Sequence, residues 1–469
     1  MTTECKETSF EFQALGSRKV IAEFNGGSIS SDAGLLLLRE TETRFGIIKG
    51  FARCFRDHRK QEQISHSVEE LLLQRIFAIA LGYEDLNDHD MLRSDPLLAV
   101  AAGKSDPEGE NRKHQRDRGK ALAGKSTLNR LELYAGNPSR YHRIEVKAEE
   151  VDRFFVDTFI RSYPNPPREI ILDLDATDDP LHGNQEGRFF HGYYREYCYL
   201  PLYIFCGNHL LCARLRESNQ DQSAGTVEEL ERIISQIRVH WSEVKIIIRA
   251  DSGFCRDQIL SWCEANGVDY VIGLAKNNRL QEQIKAEMEQ AKEMFSESGK
   301  AARVFKDFRY QTLDSWSKER RVVGKAEHLE KGANPRFVVT SLSIDEVEAK
   351  TLYEELYCQR GEMENRIKEQ QLQLFADRTS THWLKSNQLR LWLSSAAYAL
   401  INELRRVGLA ETEMAQAQCQ TIRLKLFKIG AQIKISVRRV MVSLASGYPY
   451  QELFKLIYKN LRNFNPLLN

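Results

Sequence analysis

Ten residues constrain this chain more than any others: Ile170-Ile171-Leu172-Asp173-Leu174-Asp175-Ala176-Thr177-Asp178-Asp179. Ile170, Ile171, Leu172 and Leu174 supply an apolar, β-prone body. Asp173 and Asp175 are two apart, so on a strand they share one face. Pro180, His182 and Gly183 then end the strand. A carboxylate inside an apolar strand needs a partner charge, and a divalent metal is a common one. The stretch predicts a buried strand that delivers carboxylates to its end, with the fold built around it.

The pattern recurs. Val244-Lys245-Ile246-Ile247-Ile248-Arg249-Ala250 is a second apolar run, ending in Asp251 at a Ser252-Gly253 turn. A third acid, Glu364, sits in a charged helical segment. There Tyr357, Arg360, Glu364, Lys368 and Gln371 fall at spacings that place them on one helical face. A phenol, a guanidinium, a carboxylate and an ammonium so aligned suit a site that holds phosphates. Asp175, Asp251 and Glu364 together form an all-oxygen donor set of the kind Mg²⁺ takes, with substrate phosphate completing the shell. The blander reading makes each acid a turn or cap residue and the helix face a solvated one with a Glu364–Lys368 ion pair.

Around these acids the periodicity predicts an α/β fold. Residues 1–135 read as mainly helical after a short extended start, with a strand at 19–24 and helices at 33–43, 67–81 and 126–134. Residues 104–120 are charged and apolar-free, an expected exposed loop. Over 150–280, strands at 169–175, 193–206, 210–215, 244–251 and 270–274 alternate with helices at 151–162, 226–240 and 255–266, which predicts a mixed sheet. Residues 281–350 read as a β-rich insertion, 351–410 return to helix, and 411–469 form a basic C-terminal region with a strand-like run at 433–438. The insertion lies between the second and third acids, so both its ends are expected near them; Trp316 within it is a candidate for stacking on an unpaired base, or an ordinary packing residue.

Basic residues cluster twice. Arg53, Arg56, Arg59 and Lys60 form one group. Arg423, Lys425, Lys428, Lys434, Arg438 and Arg439 form the other, a candidate phosphate-binding surface or a solvated basic strand. The net charge is only +1, so the chain is not basic throughout. Its 42% apolar and 28% charged content is that of an ordinary soluble chain. The nine cysteines include no C-x-x-C pair, which fits free thiols in a reducing cytosol. No apolar stretch reads as a signal peptide or a membrane span. Gly119–Ser126 matches the P-loop pattern, but a charged run precedes it where a buried strand is required, so a nucleotide-binding ATPase is disfavoured. His182, His191 and His209 lack zinc-site spacing.

The runs Leu172–Thr177, Tyr199-Leu200-Pro201-Leu202, Arg249–Phe254 and Glu364–Glu369, with Gly82–Asp88 and Leu92–Pro96, resemble a bacterial DDE transposase, more narrowly the insertion-sequence family thirteen-eighty. The resemblance covers about residues 15–460. It implies a ribonuclease-H-like core with two Mg²⁺ ions, Mn²⁺ being able to substitute, that cuts and joins double-stranded DNA at the terminal inverted repeats of an element. It implies Asp175, Asp251 and Glu364 as catalytic metal ligands, Asp173 behind them, and a homodimer working on DNA in the bacterial cytoplasm and nucleoid. The family signature of tyrosine, arginine, glutamate and lysine matches at Tyr357, Arg360 and Glu364; Gln371 stands in the lysine slot, with Lys368 one turn earlier. A ribonuclease-H-like nuclease or resolvase without strand transfer, and a non-catalytic DNA-binding relative, are the alternatives.

Overall fold

The acid-bearing strand is central to the largest sheet. In the computed structural model, which describes residues 9–133 and 141–464, eight strands form its continuous path: β1 (Glu169–Ala176), β2 (Leu202–Cys206), β3 (His209–Arg214), β4 (Lys245–Ala250), β5 (Asp269–Leu274), β6 (Ala302–Tyr310), β7 (Arg320–Leu329) and β8 (Arg336–Thr340). They lie in the order β3-β2-β1-β4-β5-β8-β7-β6, and a short strand, Gly332–Ala333, pairs on β7. β1, β4 and β5 run parallel. The other neighbours are antiparallel.

Alternation along β1 explains the layering. Ile170, Leu172, Leu174 and Ala176 are buried on one face against helices α1 (Ala148–Arg161), α2 (Thr226–His240) and α3 (Asp257–Ala265). In α2, Leu230, Ile233, Ile234 and Ile237 form the buried stripe, and acids in the first turn with bases in the last suit the helix dipole. Fully burying each such side chain stabilises by about 1.5–3 kcal/mol. Asp173 and Asp175 therefore point to the other face. There Ile247, Val271 and Val338 pack under Leu352 and Tyr353 of the segment that leads to helix α4 (Gly361–Lys368).

Three sequence expectations are corrected here. The strand read over 193–206 is two: Glu196–Tyr199 joins a small sheet with Asp179–Pro180 and Phe189–His191, while β2 joins the main one. Pro201 lies between them and has no N–H to give a ladder. The strand read over 433–438 is a hairpin of Ala431–Ser436 and Arg439–Leu444, so Arg438 sits in the turn. Trp316 is not free to stack on a base: it is only 5% exposed, edge-on to Tyr310 and beneath the Arg320 guanidinium. Strands β6–β8 of the expected insertion continue the main sheet from the edge of β5.

The described residues divide into two units: 9–48, 60–129 and 403–464 in one, the rest in the other, which holds the main sheet. In the first, Val68–Leu81 begins with a reciprocal cap between Ser67 and Glu70 and ends at Gly82, whose φ of 98° favours glycine. Pro96–Ala101 is capped by Asp95, which accepts from the Leu97 and Leu98 N–H groups. These contacts account for Gly82, Asp95 and Pro96 of the two family-like runs as helix punctuation. The helix expected over 126–134 is Lys125–Glu132, and Tyr134 lies outside the described residues. No helix among the described residues is long and apolar enough to cross a membrane.

Candidate active site

Parallel pairing of β1 with β4 brings the first two acids to the same end of the sheet. Leu174 is in register with Ala250, so Asp175 and Asp251 each follow one residue later. Asp251 caps the turn after β4: its Oδ1 accepts from the Gly253 N–H at 2.8 Å, and its Oδ2 accepts from Gln222 Nε2 at 3.5 Å. A Cβ at Gly253 would stand 2.1 Å from Gln222 Oε1, so a larger residue would displace this clasp. Gly273 on β5 plays a matching role, since a Cβ there would lie 2.5 Å from Tyr357 Oη.

The third acid arrives on an irregular helix. Leu352–Tyr357 and Glu369–Gln373 are π-helical turns on either side of α4 and the tight turn Cys358–Arg360. Such wide turns are frequent at functional sites. Buried Met363 and Ile367 fix α4, which leaves Arg360, Glu364 and Lys368 facing a cavity of ≈ 860 Å³ that Asp175, Asp251 and Gln371 also line. Arg360 bridges two of the acids, at 3.4 Å to Asp175 Oδ2 and 3.0 Å to Glu364 Oε1. Glu364 thus pairs with Arg360 instead of Lys368. Lys368 is exposed and has no ion-pair partner among the described residues. Gln371 donates to the Asp178 carbonyl at 2.9 Å, tying the helix to the loop after β1. Tyr357 stands beneath the site, its ring 5.5 Å from that of Tyr353, and burial pushes its phenol up.

Burial and charge set the acids apart. Burial pushes the Asp175 carboxyl up to about 6; Arg360 opposes this, and the Asp251 and Glu364 charges add to it. Asp173 is held differently. It faces Arg249 in register across the two strands and receives both Nε at 2.5 Å and Nη2 at 2.8 Å. Arg249 Nη1 also donates to the Leu356 carbonyl, so this buried pair anchors the segment that carries Tyr357 and Arg360. Burial pushes the Asp173 carboxyl up, against the pull of Arg249.

The expected basic residues have unequal fates. Arg53, Arg56, Lys60, Lys434, Arg438 and Arg439 are exposed. Arg59 forms a fork on Asp57, at 2.8 Å from Nε and from Nη2. Lys428 pairs with Asp32 at 2.6 Å, and Lys425 lies over the Tyr450 ring at 5.3 Å. Arg423 is buried, and its guanidinium donates to the Ala80 and Ile79 carbonyls. It supports the Val68–Leu81 helix end and does not belong to a phosphate surface. Sequence reasoning missed Gln222, Arg256 and Tyr194, which line the cavity, and Arg249; only Arg249 carried a signal, a base inside an apolar strand.

Among the described residues no three His, Cys, Asp or Glu side chains stand close enough together to hold a metal ion. The donor chemistry nonetheless fits a hard cation. The Asp175 carboxyl faces the charges of two other acids, all donors are oxygens, and a side-chain cation already bridges Asp175 and Glu364. A family model described as transposase DDE domain group 1 matches residues 12–466. None of the curated proteins matches the chain. With the family model spanning almost the whole sequence, the chain belongs to the transposase DDE domain group 1 family.

Proposed function

We propose that this protein binds the terminal inverted repeats of an insertion sequence, of the thirteen-eighty type, and catalyses Mg²⁺-dependent DNA cleavage and strand transfer there. DDE transposases act on DNA and generally use divalent metal ions. The observation that carries the reading is the meeting of Asp175, Asp251 and Glu364 on one cavity with Arg360 between the first and last. The order β3-β2-β1-β4-β5, with β1 to β3 antiparallel and β4 and β5 parallel to β1, supports a ribonuclease-H-like core. The described β6–β8 segment would then be the insertion, and two copies would act on a pair of ends.

In this reading Asp175, Asp251 and Glu364 hold the two ions. When bound, the ions neutralise charge on the phosphodiester and activate water or a 3′-hydroxyl for in-line attack. The chain's own groups do the positioning. Gln222 and the Gly253 N–H fix the Asp251 carboxylate. The Asp173–Arg249 pair fixes the strand register behind Asp175. Lys368 presents a free ammonium to a phosphate oxygen, and Gln371, in the family's lysine slot, secures the helix instead.

The test is incubation of end-labelled duplexes carrying the element ends with Mg²⁺, followed by mapping of ends and joined products. Cleavage that stops with chelator, returns with Mg²⁺ and yields joined product is expected. Cleavage without joining would leave a nuclease or resolvase; binding without cleavage would leave a non-catalytic DNA-binding protein.

A further inference from the structure

One wall of the cavity is aromatic. Phe189–His191 and Glu196–Tyr199 form a hairpin whose tip is Gly192-Tyr193-Tyr194-Arg195. Its base is fixed: Cys198 and Tyr199 are buried, Tyr199 Oη donates to the Glu186 carbonyl, and Ser218 Oγ donates to the Phe189 carbonyl. Its second strand also pairs with Asp179–Pro180, directly after β1. At the tip the Arg195 N–H donates to the His191 carbonyl at 2.8 Å, with Arg195 at a φ of 60° that non-glycine residues seldom adopt. The hairpin thus holds its tip in one place beside the acids.

Tyr193 at that tip is 83% exposed, yet it lines the same cavity as Asp175, Asp251 and Glu364. Behind it the Tyr194 ring lies 5.0 Å away at 86°, and His191 lies 4.9 Å from Tyr194 at 42°. Tyr194 packs against the main core. His191 Nδ1 is buried with no hydrogen-bond partner in the structure. The cavity also carries the cationic groups of Arg256, Arg360 and Lys368. An exposed ring and cations in one groove match an unpaired nucleic-acid strand, whose phosphates meet the cations while a base stacks on the ring. Bases inside a duplex already stack on one another, so a base must leave the stack to reach such a ring.

We propose that Tyr193, backed by Tyr194 and His191, is the stacking platform for one unpaired nucleobase next to the phosphodiester at the acids. The inference rests on the DNA-cutting reading and adds a positioning residue to it. The Tyr193 ring orients the strand, and Tyr194 with His191 behind it holds that ring in place.

The test measures binding of the full chain to fluorescein-labelled oligothymidylate and to a blunt duplex of equal length, in Ca²⁺. Tyr193→Ala is expected to weaken single-strand binding by about tenfold, the range that loss of one base–aromatic stack gives. Tyr193→Phe should stay within about twofold, since the ring remains. Duplex binding and the melting temperature should not change, because the side chain is exposed. Unchanged single-strand affinity in Tyr193→Ala, an equal loss on the duplex, or no single-strand binding by the wild type would overturn the platform. Cleavage of the element-end duplex by the wild type, run alongside, separates the two ideas. If it cleaves while Tyr193→Ala binds the single strand normally, only the platform fails; if it does not cleave, the transposase reading fails.

Discussion

Asp173 and Asp175 differ by two positions and have opposite duties. Asp175 faces the cavity, where its partner Arg360 also contacts Glu364. Asp175→Asn is expected to abolish Mg²⁺-dependent cleavage while leaving binding to element ends intact, measured by end mapping and by gel retardation on the same preparation. Asp173 lies deeper and is matched by Arg249. Removing its charge leaves a buried guanidinium uncompensated, a loss of roughly 3–5 kcal/mol. Asp173→Asn should therefore lower the denaturant midpoint strongly, and Asp173→Asn with Arg249→Met should recover much of it. If the single change leaves stability intact, Arg249 has another partner. The sequence showed that both acids share a face and that Asp175 is nearer the strand end. It could not show that Arg249 answers Asp173, because strand register is fixed only when β1 and β4 pair.

Elements were legible wherever one face is buried and the apolar period is regular. The helix expected at 226–240 is found as Thr226–His240, and the one expected at 67–81 as Val68–Leu81 behind its Ser67 cap. One misread strand ran across its own punctuation, since Pro201 stands in the sequence between the two strands; the other had none, because the Val437-Arg438 turn carries neither Gly nor Pro. The π-turns around α4 were illegible for a different reason, since a wide turn changes the residue count per turn without changing composition. Capping makes its own prediction. Burial pushes the Asp95 carboxyl up despite the N–H groups it accepts. Its folded pKa therefore lies above the unfolded one, so its contribution is complete below about pH 4 and is lost as pH rises through the folded value. Asp95→Asn, which keeps an accepting oxygen, should gain stability relative to the parent at pH 7 and lose that gain below pH 4. Asp95→Ala should be destabilised by at least about 1 kcal/mol at low pH, where both the cap and the hydrogen bond from Ser30 Oγ are lost. Thermal melts across pH distinguish them.

At the scale of the molecule, the proposed attraction to DNA depends on which arginines and lysines reach water. Exposed Arg53, Arg56, Arg438 and Arg439 are available for phosphates, whereas Arg423 is not. Binding to element ends should weaken with salt, and each phosphate contact removed by substitution should reduce the logarithmic slope by about 0.9. Arg423→Met should leave that slope unchanged and lower the melting temperature instead. A change of slope in Arg423→Met would return it to the DNA surface.

β8 seals one side of β5 along Val271–Leu274, and β7 and β6 extend the sheet beyond it. A truncated protein lacking 300–342 would leave a bare row of N–H and C=O groups on an apolar strand, a template for aggregation. Such a deletion is expected to be recovered mainly as aggregate, as soluble yield and light scattering would report. The stretch between the second and third acids is a plank of the sheet itself, not an ornament nailed to it: a shorter version of this molecule must bring its own replacement plank before it can discard this one.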